Sequence, residues 1–254
     1  MEQPPSNRIK STVRTMRLVE GLRELGGAGV TELADHVDMP KSNVHNYLTT
    51  LREMDYVVKE QDQYHVGLRF LELGSHARDR KEIYRIAKPE LETIADETGE
   101  LVNLLVEEHG LGTYLARVRG EQAVEVEAHV GTRVYLHSTA LGKAILAHLP
   151  ESRVESIIDQ HGLPERTDQT TTDRDELYDQ LDTVRSRGYA IDDEERLKGL
   201  RCVAAPILSI DERVLGAISV SGPSQRLQGD RLEETLPERV LKAVNVIELN
   251  VTYS

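Results

Sequence analysis

Residues 31–54 read TELADHVDMPKSNVHNYLTTLREM, a stretch in which two apolar helical patterns stand on either side of a single proline. Pro40 has no N–H and biases the residue before it away from the helical region, so the first helix must end there. Thr31 is a plausible N-cap for that first helix. The apolar stripes of the two helices are Leu33, Ala34 and Val37, then Val44, Leu48 and Leu51. The stretch therefore predicts a helix-turn-helix.

The flanking sequence extends this motif to a small domain. STVRTMRLVEGLREL, residues 11–25, has apolar residues at helical spacing and is closed by Gly26 and Gly27, which predicts an amphipathic helix. After the second helix, YVVKEQDQYHV, residues 56–66, has two short runs around a polar turn at 61–63, which predicts a two-stranded hairpin. This order of elements is that of a winged helix-turn-helix.

The second helix of the motif carries polar side chains that suit the major groove of DNA. An Asn side chain can bond adenine in a bidentate way, and Ser and Thr serve phosphates or base edges. The side chains predicted to be exposed for DNA binding are Lys41, Ser42, Asn43, His45, Asn46 and Thr49. The alternative is a three-helix module that docks on a protein and does not touch DNA.

Charge is distributed unevenly along the 254 residues. The net charge is −13, of which residues 1–78 carry −1 and residues 79–254 carry −12. A segment that approaches a polyanion cannot be densely acidic, so the first third is the part expected to meet double-stranded DNA. Only eight of the 31 basic residues are Lys, and this acidic, arginine-rich composition favours a halophilic source.

Composition also limits the class of protein. The 39% apolar content is enough for a real core, and one cysteine excludes an internal disulfide framework. No run of about 18 apolar residues occurs, and the sequence MEQPPSNRIK contains no secretory signal. We therefore expect a cytoplasmic protein that is not inserted in a membrane.

The rest of the chain mixes helical and strand patterns. Residues 76–92 predict a charged helical connector, in which Pro89 marks a kink or the first turn of a new helix. Strands are predicted at 101–108, 112–118, 123–130, 202–209 and 214–222, and helices at 138–149, 151–160 and 173–187, followed by a long helix interrupted by Pro237. Successive antiparallel strands with helices packed on them indicate an α+β domain, and no phosphate-binding glycine motif occurs.

The single cysteine lies in DDEERLKGLRCVAAPI, residues 192–207, at the start of an apolar strand. Cys202 would be a nucleophile if a base approached it, and His129, His137 and His161 are available for that role. A zinc site formed by His137, Asp192 and Cys202 is another alternative. No spacing supports either, and a lone Cys in an apolar strand is more often a small buried hydrophobe. We expect no catalytic residue, no metal and no cofactor.

Five segments taken together resemble one family over nearly the whole chain. They are TELADHVDMPKSNVHNYLTTLREM, YHVGLRFLELG, LHSTALGKAILAHL, RGYAIDDEERLKGLRCVAAPI and GAISVSGP. In this order they resemble the IclR-type transcriptional regulators. The resemblance implies a winged helix-turn-helix at 8–70, a linker helix at 71–88 and an effector domain similar to the GAF class at 89–254. It also implies homodimers or homotetramers on a palindromic operator.

The resemblance further implies where a small-molecule effector sits. A small anionic metabolite would face N–H groups at the start of the STALGK helix, and the matching positions are Ala140, Leu141, Gly142, Asp192, Cys202, Ser219 and Ser221. The implied function is regulation, by activation or repression, of catabolic genes for sugar or small organic-acid degradation. The alternative is a metabolite-binding enzyme, or a thiol redox sensor, with an accessory DNA-binding domain.

Two features depart from the family pattern. Asn46 stands where the second helix usually has a basic residue after His, and the hairpin has Glu60 and Asp62 where basic residues are common. Both changes weaken the electrostatic share of DNA binding. Specificity is therefore expected to depend more on base edges and on dimer geometry.

Overall fold

The computed structural model describes residues 8–253. The chain divides into two units, residues 1–77 and 78–254. The elements of the first unit are α1 (Lys10–Leu25), α2 (Val30–His36), α3 (Lys41–Glu53), β1 (Val57–Glu60), β2 (Gln63–Val66) and α4 (Arg69–Asp79), whose last two residues pass the boundary. Within the described range, no helix is long and apolar enough to cross a membrane.

The elements of the second unit follow a two-residue break. They are α5 (Glu82–Thr98), β3 (Leu101–Glu108), β4 (Leu111–Arg119), β5 (Arg133–Tyr135), α6 (Ala140–Leu146), α7 (Glu151–His161), α8 (Arg174–Arg187), β6 (Ala190–Asp193), β7 (Leu200–Leu208), β8 (Val214–Pro223), a π-helical turn (Arg231–Thr235) and α9 (Leu236–Thr252). The predicted α+β class is confirmed.

The first unit is the predicted winged helix-turn-helix. Helix α1 ends where Gly26 adopts a left-handed conformation with φ of 68°, which glycine reaches without strain. Helix α3 buries the predicted stripe of Val44, Leu48 and Leu51 against α1 and α2. Strands β1 and β2 pair in antiparallel register through a turn at Gln61 and form the wing.

Two local predictions in this part of the chain were wrong. Thr31 is not the N-cap of α2, because the helix begins at Val30 and its N-cap is the extended residue Gly29. The connector predicted at 71–88 is not one helix, since the α-helical path is interrupted between α4 and α5. Pro89 lies inside α5 and not in its first turn.

The second unit is built on a six-stranded antiparallel sheet with the strand order β5-β4-β3-β8-β7-β6. Successive side chains of a strand point to opposite faces. Leu104 packs in a core with α5 and α9, while Leu105 packs in a second core with α6, α7 and α8. The sheet is therefore covered on both faces, which explains why its central strands are so apolar.

Other differences from the predicted elements lie near the edges of the sheet. Residues 123–130 do not form a strand: Val124 and Val126 pack against the second core, but the segment joins no ladder. The edge strands β5 and β6 were not predicted, because runs of three or four residues give little periodicity. Pro237 does not interrupt α9 but lies in its first turn, where a missing N–H costs nothing.

Candidate functional site

The sheet register brings polar side chains together on the face that carries α6. One row across the strands pairs Ser219 with Asn103 and Asn103 with Arg117. The next row pairs Asp192 with Cys202 and Cys202 with Ser221. Residues opposite each other on antiparallel strands share a face, so these side chains form the floor of one cavity.

The walls of the cavity come from α6 and from two loops. The space around the lining atoms amounts to about 350 Å³ including open solvent, and the cavity itself is narrow. Its lining is completed by Leu101, Tyr114, Val126, Thr139, Ala140, Leu141, Arg196 and Leu200.

A hydrogen-bonded network fixes the floor. Asn103 Nδ2 donates to Ser219 Oγ at 3.2 Å and to Ser221 Oγ at 3.3 Å, and Asn103 Oδ1 accepts from Arg117 Nε at 3.1 Å. The guanidinium of Arg196, which comes from the loop after β6, donates a hydrogen bond to the Tyr114 hydroxyl of β4. Polar groups at this depth are tolerated because they satisfy each other.

Asp192 is the carboxyl group of the cavity, with 1% of its surface exposed. Its Oδ1 accepts from the N–H of Glu195 at 2.8 Å and of Arg196 at 3.4 Å. Burial, and then the negative charge of Glu195, raise the pKa of Asp192 to about 7, while Lys143 and the two N–H groups oppose the shift. Near neutral pH this group is therefore poised between its two charge states.

This shift predicts a dependence of stability on pH. Between pH 3.8 and about 7 the folded chain keeps a proton at Asp192 that the unfolded chain has lost, so this group makes stability fall as pH rises through that window. Asp192→Asn keeps the Oδ1 acceptor and removes the charge. The urea midpoint of the variant minus that of the wild type should therefore increase from pH 4.5 to pH 8.

Asp193→Asn is the matched control, because Asp193 is the next residue of β6 and is exposed. It forms an ion pair with Arg201 at 2.5 Å, so its substitution should give no such increase. A midpoint difference for Asp192→Asn that stays flat across the same pH range would contradict the assignment.

Buried hydrogen bonds from the 167–170 turn hold the loop after β6, which carries Arg196. Thr167 Oγ1 donates to the carbonyl oxygens of Glu194 and Glu195 at 2.7 and 3.0 Å, and Thr170 Oγ1 also donates to that of Glu195 at 2.5 Å. The Glu195 carboxylate forms a buried ion pair with Lys143 of α6. The loop is thus fastened to α6 and to the 167–170 turn.

The structure places six of the seven predicted effector residues on the cavity: Ala140, Leu141, Asp192, Cys202, Ser219 and Ser221. Gly142 does not line it. Its N–H is not free for an anion, because Thr139 Oγ1 accepts it at 2.9 Å as the N-cap of α6. Thr139 is thus the N-cap of α6, and this cap consumes the N–H that was expected to bind the ligand.

Cys202 lies in the cavity wall, and no histidine in the described part of the chain lines that cavity. Burial, and then the Asp192 charge, raise the pKa of its thiol, so the reactive thiolate is disfavoured. His137 Nε2 donates to the Pro164 carbonyl oxygen at 3.1 Å and lines a different small cavity, as does His161. Among residues 8–253, no three His, Cys, Asp or Glu side chains are placed to hold a metal ion.

Eight cavity residues were missed by the sequence analysis, and the polar ones among them are Asn103, Tyr114, Arg117, Thr139 and Arg196. Asn103 could have been found, because it is the only polar residue among the first six of an apolar strand. Arg117 similarly interrupts the run GTYLARV. Arg196 lies in a loop, where no periodicity marks it.

In the first unit, the face of α3 opposite its buried stripe is open. Lys41, Ser42, His45 and Asn46 are exposed, and the remaining predicted DNA-binding residues, Asn43 and Thr49, are partly buried. The side chains lie over two turns of the helix, as needed to reach successive base pairs.

Comparison with known proteins covers both units. Residues 11–61 match the family model described as the IclR helix-turn-helix domain, and residues 75–249 match the one described as bacterial transcriptional regulator IclR C-terminal. The two models together span most of the chain and follow the same order as the structural units.

Relatives align along nearly their whole length. The probable HTH-type transcriptional regulator ArcR of Halobacterium salinarum is 34% identical, with 96% of this chain and 94% of the relative covered. The acetate operon repressor of Salmonella typhimurium is 33% identical, with 97% and 91% covered. The crystal structure of the Thermotoga maritima IclR superposes with a TM-score of 0.80 at 29% identity, covering 97% of this chain and 100% of that one. The chain therefore belongs to the IclR family of transcriptional regulators.

Proposed function

We propose that the protein binds a double-stranded operator through α3 and that a small anionic metabolite in the cavity of the second unit changes this binding. The observation that supports it is the presence, in one chain, of an exposed polar α3 face and a polar cavity with two guanidinium groups. A ligand that binds the two conformations of a regulator with different affinity shifts their populations, and thereby the affinity for DNA.

An anion suits the cavity on electrostatic grounds. Arg117 and Arg196 are its permanently charged groups, and the single acidic group, Asp192, has a pKa near neutrality. The name of the acetate operon repressor supports a role in the breakdown of small organic acids. We therefore propose that the target genes are catabolic and that the effector is an acid of that kind.

A groove in the first unit supports association of two chains. Met16 of α1, Met54 after α3 and Leu73 of α4 line it, and each is about half exposed. Exposed apolar clusters of this kind favour an interface with a second copy. We propose a homodimer that reads a palindromic operator in the cytoplasm and is able to associate further into a tetramer.

An enzymatic or redox role for the second unit has no support in its geometry. The Cys202 thiol is buried, and the polar groups that act on it are Asp192, Ser221, Arg196 and Glu195, of which none is a histidine. We propose that Cys202 forms part of the cavity wall and that the protein is not an enzyme.

The DNA-binding proposal is tested on α3. Asn43→Ala should weaken binding to the operator by about 5- to 150-fold, because a bidentate Asn–adenine contact is worth about 1–3 kcal/mol. The operator is selected from a random double-stranded pool with the wild-type chain, and affinity is measured by fluorescence anisotropy. The same titration should saturate at two chains per palindrome.

Asn245→Ala is the matched control, since Asn245 is an exposed asparagine on α9 of the other unit. It should bind the operator like the wild type. Equal loss of affinity in Asn43→Ala and Asn245→Ala, or no loss in Asn43→Ala, would refute recognition through α3.

A further inference from the structure

Arg117 and Arg196 approach the same aromatic ring in the cavity. Their guanidinium carbons lie 5.6 and 5.4 Å from the centroid of Tyr114. Arg117 uses Nε to bond Asn103, and Arg196 uses one Nη to bond the Tyr114 hydroxyl. Each guanidinium therefore keeps two neighbouring N–H positions, the arrangement that binds one carboxylate in a bidentate way.

These two charges have no counter-ion in the part of the chain that the structure describes. No carboxylate of residues 8–253 comes within 4.0 Å of either guanidinium, whereas other partly buried arginines of the unit pair with one. Burial lowers the pKa of Arg117, Tyr114 opposes this shift, and the positive charge of Arg196 lowers the pKa further. The chain has a net charge of −13, yet these two positive charges share one cavity without a counter-ion from the described residues. This arrangement costs free energy unless an anion binds between them.

We infer that the effector carries two carboxylate groups, one bound by Arg117 and the other by Arg196. This inference rests on the proposed effector-binding function of the cavity. The Ser219 and Ser221 hydroxyls, held by Asn103, contact the middle of the ligand. The cavity is narrow, so we expect the ligand to be a short dicarboxylate.

The experiment compares acids of equal length on the full chain by isothermal titration calorimetry. The dicarboxylates are succinate, glutarate and adipate, and the matched monocarboxylates are butyrate, valerate and hexanoate. At least one dicarboxylate should bind about tenfold or more tightly than its monocarboxylate, since the second charge-assisted contact adds to the first. This comparison needs no variant and so does not depend on whether a variant folds.

Two variants then assign the contacts. Arg117→Gln and Arg196→Gln should each reduce the affinity for the dicarboxylate to that of the monocarboxylate. Arg119→Gln is the control, because Arg119 lies on the same strand, is exposed and does not line the cavity. Circular dichroism verifies that each variant is folded, and Arg→Lys at either position should restore part of the affinity.

The outcomes separate this inference from the proposed function. Monocarboxylates that bind as tightly as dicarboxylates, and release the operator, would overturn the two-carboxylate ligand and leave the anionic effector standing. A dicarboxylate preference that survives loss of both arginines would overturn the assignment as well. If no acid of the panel binds, both the inference and the effector part of the proposed function fail, while operator binding by α3 is tested independently.

Discussion

Glu100→Gln is expected to lower the free energy of unfolding of the second unit by about 3 kcal/mol, in the range for a buried ion pair that loses one partner. The Glu100 side chain is fully buried. It accepts from Nε and Nη2 of Arg226 at 3.0 and 2.6 Å and from Nη2 of Arg231 at 3.1 Å. Glutamine would turn an NH₂ group toward these donors. Because Arg226 and Arg231 are 35% and 39% exposed and can reach water, the loss should lie at the low end of the range.

Urea unfolding of the full chain, followed by circular dichroism, measures this effect. The control is Glu97→Gln, which breaks the ion pair between Glu97 and Arg239, two side chains that are 41% and 46% exposed. Exposed pairs contribute about 0–1 kcal/mol, so the control should unfold close to the wild type. Equal losses in the two variants would show that burial of Glu100 is not what makes its ion pairs important.

Gly142→Ala is expected to destabilise the second unit by about 3 kcal/mol and to lower the unfolding midpoint by about 6–12 °C. A Cβ at this position would stand 2.1 Å from the carbonyl oxygen and 2.4 Å from the Cα of Leu136. Both are backbone atoms, so no side-chain rotation relieves the clash. Helix α6 would have to move, and its first residues, Ala140 and Leu141, would leave the cavity wall. Dicarboxylate affinity should therefore fall together with stability.

Gly74→Ala is the matched control, since Gly74 lies inside α4 with no atom within 4 Å of the added Cβ. Alanine favours a helix over glycine by about 1 kcal/mol, so this variant should be as stable as the wild type or more so. If Gly142→Ala followed the same trend, then the close approach of α6 to Leu136 would not be required for the fold.

Much of the fold could be predicted because its information is local. The stripe of α3, the break at Pro40, the Thr139 cap and the central strands are each specified by residues within a few positions of one another. The weak predictions concern elements whose pairing depends on distant residues. Residues 123–130 alternate like a strand, yet β4 pairs with β5 at that edge.

Single side chains of the cavity show the same limit, because sequence spacing predicts the face of a strand residue only where the strand is regular. Ser219 and Ser221 share a face because they are two residues apart, and the sequence is enough to show it. Tyr114 and Arg117 are three apart, so regular alternation would place them on opposite faces. The register of β4 against β3 shifts between Leu104 and Leu105, which leaves Leu115 as an extra residue and turns Arg117 to the cavity face.

The sequence by itself determined the family, the two kinds of unit, the buried stripe of α3 and the polar strand positions, because short-range periodicity and capping chemistry specify them. Only the tertiary structure decided which charges meet. The bulge in β4 and the loop held by Thr167 and Thr170 bring Arg117 and Arg196 to one aromatic ring. Electrostatic energy depends on the distance between charges in space and on their burial. These two arginines are 79 positions apart in the sequence, and that spacing gives neither their distance in space nor their burial.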